Sequence, residues 1–143
     1  MFLFRCHRLS RVGKWADLLL LLLLLLPSFP AHAELPPDAY RHMQNAAPEF
    51  IYIQVLAVNT RNVPHGQNVD LKARVVVVKR TATRLRAGHI IHIDYFHRTT
   101  LLIGPGPVPL LETGKQYPAF LEKVNGQNIY RPVAGAFSFE VMS

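Results

Sequence analysis

Three histidines and one aspartate fall close together in the segment GHIIHIDYFHR, residues 88–98. Histidine and aspartate are common zinc ligands and common groups in acid–base catalysis. The isoleucines and aromatic residues around them predict a β-strand, in which side chains alternate between two faces and each residue advances about 3.3 Å. His89 and His97 would then share a face about 26 Å apart, and His92 would lie on the opposite face. We therefore expect no three of these side chains to meet on one ion.

His92 and Asp94 are the pair in this segment that could act together. They would share a strand face, about 6.6 Å apart along the strand. Such a pair is half of a metal site or part of a catalytic His–Asp arrangement, and either needs a third ligand or a nucleophile. His42 and His65 are candidates, although nothing in the sequence brings them near. The sequence predicts no cofactor, and it keeps a small metal-dependent or hydrolytic enzyme using His92 and Asp94 as the alternative interpretation.

The first 33 residues have the three parts of a cleavable signal peptide. Four basic residues precede nine consecutive leucines at 18–26, and two prolines then lead into Ala31-His32-Ala33. This order is typical of a secretory signal, whereas a membrane-spanning helix needs about 20 apolar residues. We expect cleavage after Ala33 and export to the periplasm or the medium, with no transmembrane segment in the remaining chain.

Removal of the signal would change the charge and the cysteine content. The formal net charge would fall from +7 to +4, because four basic residues and one acidic residue leave. That charge admits an anionic partner, and together with export it argues against nucleic acid. Cys6, the one cysteine of the sequence, would leave as well. The exported chain would then have no disulfide, no cysteine-based zinc site and no thiol chemistry.

A short helix is expected in the lead-in at residues 34–48. Asp38 is the expected N-cap, and Pro48 ends a helical stretch over residues 39–47. A helical period of 3.6 would place three side chains on its buried face: Tyr40, Met43 and Ala47.

Alternating and aliphatic segments then predict five strands, at residues 49–59, 69–81, 89–98, 115–124 and 129–141. Residues 62–68 and 99–113 are predicted to be loops, and Asn125-Gly126 a hairpin turn. In the first two strands, the alternation places these residues on one face of their strand: Ile51, Ile53, Val55 and Ala57, then Leu71, Ala73, Val75 and Val77. The polar face of the second strand turns apolar at Val76 and Val78, so we expect that end of the strand to be covered on both sides. Five strands in about 95 residues suit a small sandwich or barrel, and the five-stranded Greek-key barrel called the OB-fold fits best. We predict an all-β domain at residues 49–143 with a short N-terminal helix.

Three spaced patterns resemble one branch of these barrels. They are Val69-x-Leu-x-Ala-x-Val75, Leu85-x-x-Gly88-x-Ile-x-x-Ile93 and Leu111-x-x-Gly114-x-x-Tyr117-x-x-Phe120-Leu121. Over residues 50–139 the chain is similar to netrin-module and metalloproteinase-inhibitor (TIMP) domains, and to bacterial secreted domains of the same layout that have no assigned function. The resemblance implies an OB-like barrel and a protein-binding role. The inhibitors chelate the protease zinc with an N-terminal cysteine, which the expected start Glu34-Leu35-Pro36-Pro37 lacks, so no inhibitory residue carries over.

Four cations cluster at the hairpin formed by the second and third predicted strands. They are Lys79, Arg80, Arg84 and Arg86. In an OB-fold this neighbourhood borders the binding face, where positive charge would attract phosphate or sulfate groups and aromatic rings would supply platforms. By position, the candidate platforms are Phe50, Tyr52, Tyr95 and Phe96. The alternative is a solvated connection whose charges discourage edge pairing.

Taken together, these patterns favour a non-enzymatic exported module that binds another protein or an anionic envelope component. An open barrel face or the basic segment would be its contact surface. A purely structural envelope component is a third interpretation.

Overall fold

A computed structural model describes residues 35–100 and 106–142. The predicted signal peptide at 1–33 and part of the predicted loop at 99–113 lie outside the described residues. The described chain contains a helix, α1, and five strands. Their bounds are α1 Pro37–Ala46, β1 Glu49–Val63, β2 Gly66–Arg80, β3 Ile90–Arg98, β4 Gln116–Lys123 and β5 Ile129–Pro132. No helix in the described ranges is long and apolar enough to cross a membrane.

The five strands close into a barrel in the order β1-β2-β3-β5-β4, and β4 pairs back to β1. Strands β3 and β5 run parallel, whereas the other neighbouring strands run antiparallel. This arrangement confirms the predicted all-β class and the OB-like barrel with a short helix. The barrel interior is filled by aliphatic side chains from alternate strand positions, and the buried Tyr130 and Phe139 belong to the same core cluster.

Register shifts in β1 and β2 decide which side chains face the core. Most of the residues predicted to share a strand face are buried: Ile51, Ile53, Val55, Leu71, Ala73 and Val75. The prediction that Ala57 and Val77 lie on the same face as these residues is wrong. Ala57 pairs with Lys72 on the outer face, because Leu56 has no partner in the ladder. Val77 is 41% exposed, because Val76 is similarly skipped and one extra residue reverses the alternation.

The β1–β2 hairpin is longer than the sequence predicts. Only Pro64 and His65 connect the two strands, where a loop over residues 62–68 is expected. His65 adopts a φ of +68°, the left-handed conformation that follows a proline in type II turns. Since β4 pairs only with residues 49–54 of β1, the distal half of the hairpin extends beyond β4. This extension, together with β3, builds the surface described below.

Strand β5 ends at Pro132, although the sequence predicts a strand to residue 141. Proline has no N–H to continue a ladder, and Gly135 turns the chain with a φ of +52°. A single 3-10 turn follows at Gly135–Phe137. The Ser138 hydroxyl fixes it by accepting a hydrogen bond from the Ala134 N–H (2.9 Å) and donating one to the Gly135 carbonyl (2.8 Å).

Helix α1 docks on this C-terminal segment through Gln44. The Gln44 Nε2 donates to the carbonyls of Phe137 (2.7 Å) and Glu140 (2.6 Å), and its Oε1 accepts from the Met142 N–H (3.2 Å). Gln44 is accordingly 4% exposed. A buried amide that satisfies three backbone groups carries no apolar signature, so the 3.6-residue pattern does not reveal it.

Two details of the predicted helix are wrong. Met43 is 37% exposed, whereas Tyr40 and Ala47 are buried as predicted. Asp38 lies in the first turn, and Pro36 occupies the N-cap position with no side-chain cap. The helix begins at Pro37 because a proline at its first position has no N–H that would need a partner.

Candidate functional site

The outer face of β1, β2 and β3 carries polar side chains in cross-strand rows. Directly opposed residues point to the same side of a sheet. One outer row consists of Asn59, Asp70 and Asp94, and the next consists of Arg61, Asn68 and Phe96. The row between them contains Val69, which is buried in the core. The two polar rows therefore lie on the outside of the barrel.

A cleft of about 750 Å³ opens along these rows. Arg131 and Pro132 of β5 line its other side, and Val108 of the β3–β4 connection contributes as well. A volume of this size is within the range of small-molecule sites. The position, on the face of strands β2 and β3, is where barrels of this type commonly bind their ligands.

The Phe96 ring occupies space in this cleft that is open only because residue 66 is a glycine. Its ring lies over Gly66, so close that a Cβ at position 66 would collide with the ring and with the His97 carbonyl. The ring is still 45% exposed. The edge of the Phe96 ring thus lies against the backbone of β2, and the residue leaves a large apolar surface open to solvent.

Two carboxylates occupy opposed positions beside this ring. Asp70 and Asp94 are cross-strand partners on β2 and β3, and like charges directly opposite each other destabilise a sheet. Partial burial raises the pKa of Asp94, and the charge of Asp70 raises it further. His92 and Arg131 counteract both effects. The His92 Nδ1 lies 3.5 Å from the Asp70 Oδ1.

The histidines of residues 88–98 have separate environments. His92 and Asp94 share the outer face as predicted, but the carboxylate that the His92 ring contacts is Asp70. The His97 Nδ1 lies 2.8 Å from the Val108 carbonyl oxygen, and the His89 Nδ1 accepts a hydrogen bond from the Arg86 N–H (3.3 Å). Within residues 35–100 and 106–142, no three His, Cys, Asp or Glu side chains are arranged to hold a metal.

Comparisons with protein-family models, curated proteins and solved structures found no match for this chain. The barrel itself does not decide a function, because unrelated activities share such folds. The functional argument therefore depends on the chemistry of the cleft and of the basic segment.

The basic segment lies at the opposite end of β2 from the cleft. Lys79, Arg80, Arg84 and Arg86 are all exposed. Arg80 nevertheless has a structural role, since its Nε donates to the Ala47 carbonyl (2.8 Å) and its Nη2 donates to the Gln44 carbonyl (2.7 Å). It thereby satisfies carbonyls at the C-terminus of α1, where a cation is favourable. Of the four predicted binding residues, three remain available to a partner through their side chains.

A buried glutamate anchors the start of this segment. Glu49 is fully buried, and its Oε1 accepts hydrogen bonds from the N–H groups of Ala82 (3.1 Å) and Thr83 (2.9 Å). The Thr83 hydroxyl is in turn 2.9 Å from the Tyr130 hydroxyl. The Glu49 Oε2 has no hydrogen-bond partner among the described residues. The segment is thus attached to the barrel wall through backbone groups.

The four predicted aromatic platforms divide into two groups. Phe50 stacks on Phe120 with ring centroids 4.4 Å apart, and Tyr52 lies 6.0 Å from Phe50 on the same outer face. Tyr95 points toward the core and donates its hydroxyl to the Pro109 carbonyl (2.9 Å), and burial raises its pKa to about 12. Phe96 is the most exposed of the four.

Sequence reasoning identified Asp94 and Phe96 but missed their partners in the cleft. Gly66, Arg61 and Asp70 come from the hairpin, and Arg131 comes from β5. The alternation of β2 does place Asp70 on its polar face. Its opposition to Asp94 follows from the register between β2 and β3, which the sequence does not show.

Proposed function

We propose that the chain is an exported, non-catalytic binding module that contacts another protein or an envelope component through this cleft. The observation that carries the proposal is Phe96, which is 45% exposed although its ring is held in place against Gly66. An aromatic ring with restricted freedom loses little entropy on binding and offers a large apolar area. The resemblance to netrin-module domains also supports a binding role.

The basic segment is a second contact surface for an anionic envelope component. Lys79, Arg84 and Arg86 are exposed at the end of the barrel away from the cleft. Positive charge of this kind accelerates encounter with an anionic surface, and its effect is screened by salt. The basic segment would therefore increase the rate of association, whereas the cleft provides the shape that selects a ligand.

The proposal is tested by affinity capture. Immobilised protein is exposed to periplasmic and culture-medium fractions of the cells that make it, and Phe96→Ala is compared with Val77→Ala. Val77 is 41% exposed on another part of the barrel, so it is a matched loss of exposed apolar surface. We expect one component to be retained by the wild type and by Val77→Ala and to be lost with Phe96→Ala.

Two results would reject this location. Retention that is unchanged in Phe96→Ala but lost in an Arg84→Glu, Arg86→Glu double variant would place the contact on the basic segment. Retention of no component from either fraction would reject a binding role for the cleft.

The alternative, a small metal-dependent or hydrolytic enzyme, would use His92 and Asp94. The contact between His92 and Asp70 is the observation that favours it, because it provides a His–Asp arrangement. The described residues contain no group of three metal-ligating side chains, so a bound metal would need a ligand from outside them. Metal analysis of the purified protein decides between the two functions. Stoichiometric zinc or copper that is lost in His92→Ala would replace the binding proposal with the enzymatic one.

A further inference from the structure

The cleft offers hydrogen-bonding groups that the protein itself does not use. Within the described residues, the side chains of Arg61, Asn68 and Asp94 make no hydrogen bond to another residue. Amides both donate and accept, guanidiniums donate and carboxylates accept. Neighbouring rows of one sheet therefore present donors and acceptors a few ångströms apart, which suits a ligand whose own groups do both.

The charges of the cleft balance. Its lining contains the carboxylates of Asp70 and Asp94 and the guanidiniums of Arg61 and Arg131. A site for a polyanion shows an excess of Lys and Arg along the path of the ligand. The opposed carboxylates would repel phosphate or sulfate groups. A ligand without net charge is not repelled by these carboxylates, and each of its polar groups can meet a group of matching type.

The apolar part of the cleft is flat. The Phe96 ring is 45% exposed beside the polar rows, and its edge lies against the backbone of Gly66. A flat ring next to planar amide, carboxylate and guanidinium groups fits a ligand with one C–H-rich face and a hydroxyl-bearing rim. Sugar rings have this construction, since their axial C–H bonds form an apolar face and their equatorial hydroxyls donate and accept.

We infer that the cleft binds a neutral or zwitterionic oligosaccharide, with a sugar ring stacked on Phe96 and its hydroxyls bound by Asp70, Asp94 and Arg61. The inference rests on the proposed function and names the ligand class of the same site. The cleft volume of about 750 Å³ leaves room for more than one sugar ring along the strands.

The test begins with an array of neutral and zwitterionic oligosaccharides that also carries heparin and single-stranded DNA. The saccharide with the strongest signal is then titrated by calorimetry against the wild type, Phe96→Ala, Phe96→Tyr, Asp94→Asn and Val77→Ala. We expect affinity to fall at least tenfold in Phe96→Ala and in Asp94→Asn. It should remain within about twofold in Val77→Ala and in Phe96→Tyr, which keeps the ring. Affinity for the saccharide should change little between 50 and 200 mM salt, in contrast to a polyanion.

The outcomes separate the ligand class from the binding role. Binding to heparin or DNA with a steep salt dependence, and to no saccharide, overturns the inference. So does saccharide binding that Phe96→Ala leaves unchanged. If no saccharide binds but capture from the native fractions still depends on Phe96, the ligand class is wrong and the proposed function stands. If that capture fails as well, both are wrong.

Discussion

Asp70 and Asp94 are directly opposed on β2 and β3, on the outer face of the barrel and at the centre of a cleft. Opposed carboxylates oppose sheet formation, and proteins retain such pairs most readily where a ligand uses them. The repulsion between Asp70 and Asp94 should therefore affect both the stability of the fold and the binding of a ligand in the cleft. A substitution that relieves the repulsion should stabilise the fold and weaken binding.

Asp94→Asn should raise the melting temperature at pH 7. The substitution removes a charge that is disfavoured by partial burial and by Asp70. Because the carboxylate is only partly buried, solvent screening limits the gain to about 0.5 kcal/mol, or roughly 2–4 °C. Thermal unfolding followed by circular dichroism measures it. Asp38→Asn is the control, and it should not raise the melting temperature, because a carboxylate in the first turn of α1 is favourable.

The gain from Asp94→Asn should depend on pH in one direction. Folding raises the pKa of Asp94, so the folded state binds this proton more tightly than the unfolded chain does. The group therefore favours folding at low pH, and its contribution is lost as the pH rises through the folded pKa. The difference in melting temperature between Asp94→Asn and the wild type should be largest near neutrality and vanish below the ordinary value of 3.8. A difference that persists at pH 3 would contradict this account of the pair.

Gly66→Ala should destabilise the hairpin and displace the Phe96 ring. The new Cβ would collide with the ring and with the His97 carbonyl, at a cost of about 1–3 kcal/mol. Chemical denaturation measures the loss. Gly106→Ala is a matched control, because its Cβ would meet only Ala136 at an ordinary 3.5 Å. Combining Gly66→Ala with Phe96→Ala should recover part of the stability, and failure to recover any would mean that the ring is not what position 66 accommodates.

Arg80→Ala should cost stability, whereas Arg86→Ala should not. Arg80 donates two hydrogen bonds to carbonyls at the end of α1, and their removal leaves those acceptors partly unsatisfied, at a cost of about 1–2 kcal/mol. Urea unfolding of both variants gives the comparison. Equal stability of the two variants would show that Arg80 is free for a partner, as the sequence suggests.

Glu49→Ala should loosen the start of the basic segment. The N–H groups of Ala82 and Thr83 lose the acceptor Oε1, which we expect to cost about 1–3 kcal/mol. Glu49→Gln keeps an oxygen acceptor and should lose less. Amide hydrogen exchange gives a local readout, because Thr83 should lose protection in Glu49→Ala and retain most of it in Glu49→Gln. Unchanged exchange at Thr83 in Glu49→Ala would contradict the anchoring role.

The sequence predicts the parts of this fold that depend on alternation. Apolar residues at every second position of β1 and β2 are enough to place most of the core and the barrel class. What fails depends on single residues that alternation does not encode. Leu56 and Val76 have no partner in the β1–β2 ladder, so the alternation of side chains between the two faces reverses at these residues. Pro132 ends β5, and Gln44 docks the helix through hydrogen bonds.

The candidate site was less predictable, for a similar reason. The side-chain types of His92, Asp94 and Phe96 are visible in the sequence, but the residues that lie next to them are decided by the register between strands. Asp70 meets Asp94, and Gly66 meets Phe96, because β2 and β3 pair in one particular register. The basic segment stands out in the sequence by charge, yet the structure uses Arg80 to cap a helix. Charge along a sequence therefore indicates a surface without showing which of its members are free.

The most direct test of the central claim is a nuclear magnetic resonance titration. Protein labelled with nitrogen-15 is titrated with the soluble envelope fraction that the wild type depletes in the capture experiment, and amide shifts are mapped on the chain. The account predicts shifts concentrated at residues 59–61, 68–70 and 94–96, with none of them in Phe96→Ala. Shifts concentrated at residues 79–86 and unaffected by Phe96→Ala would contradict it.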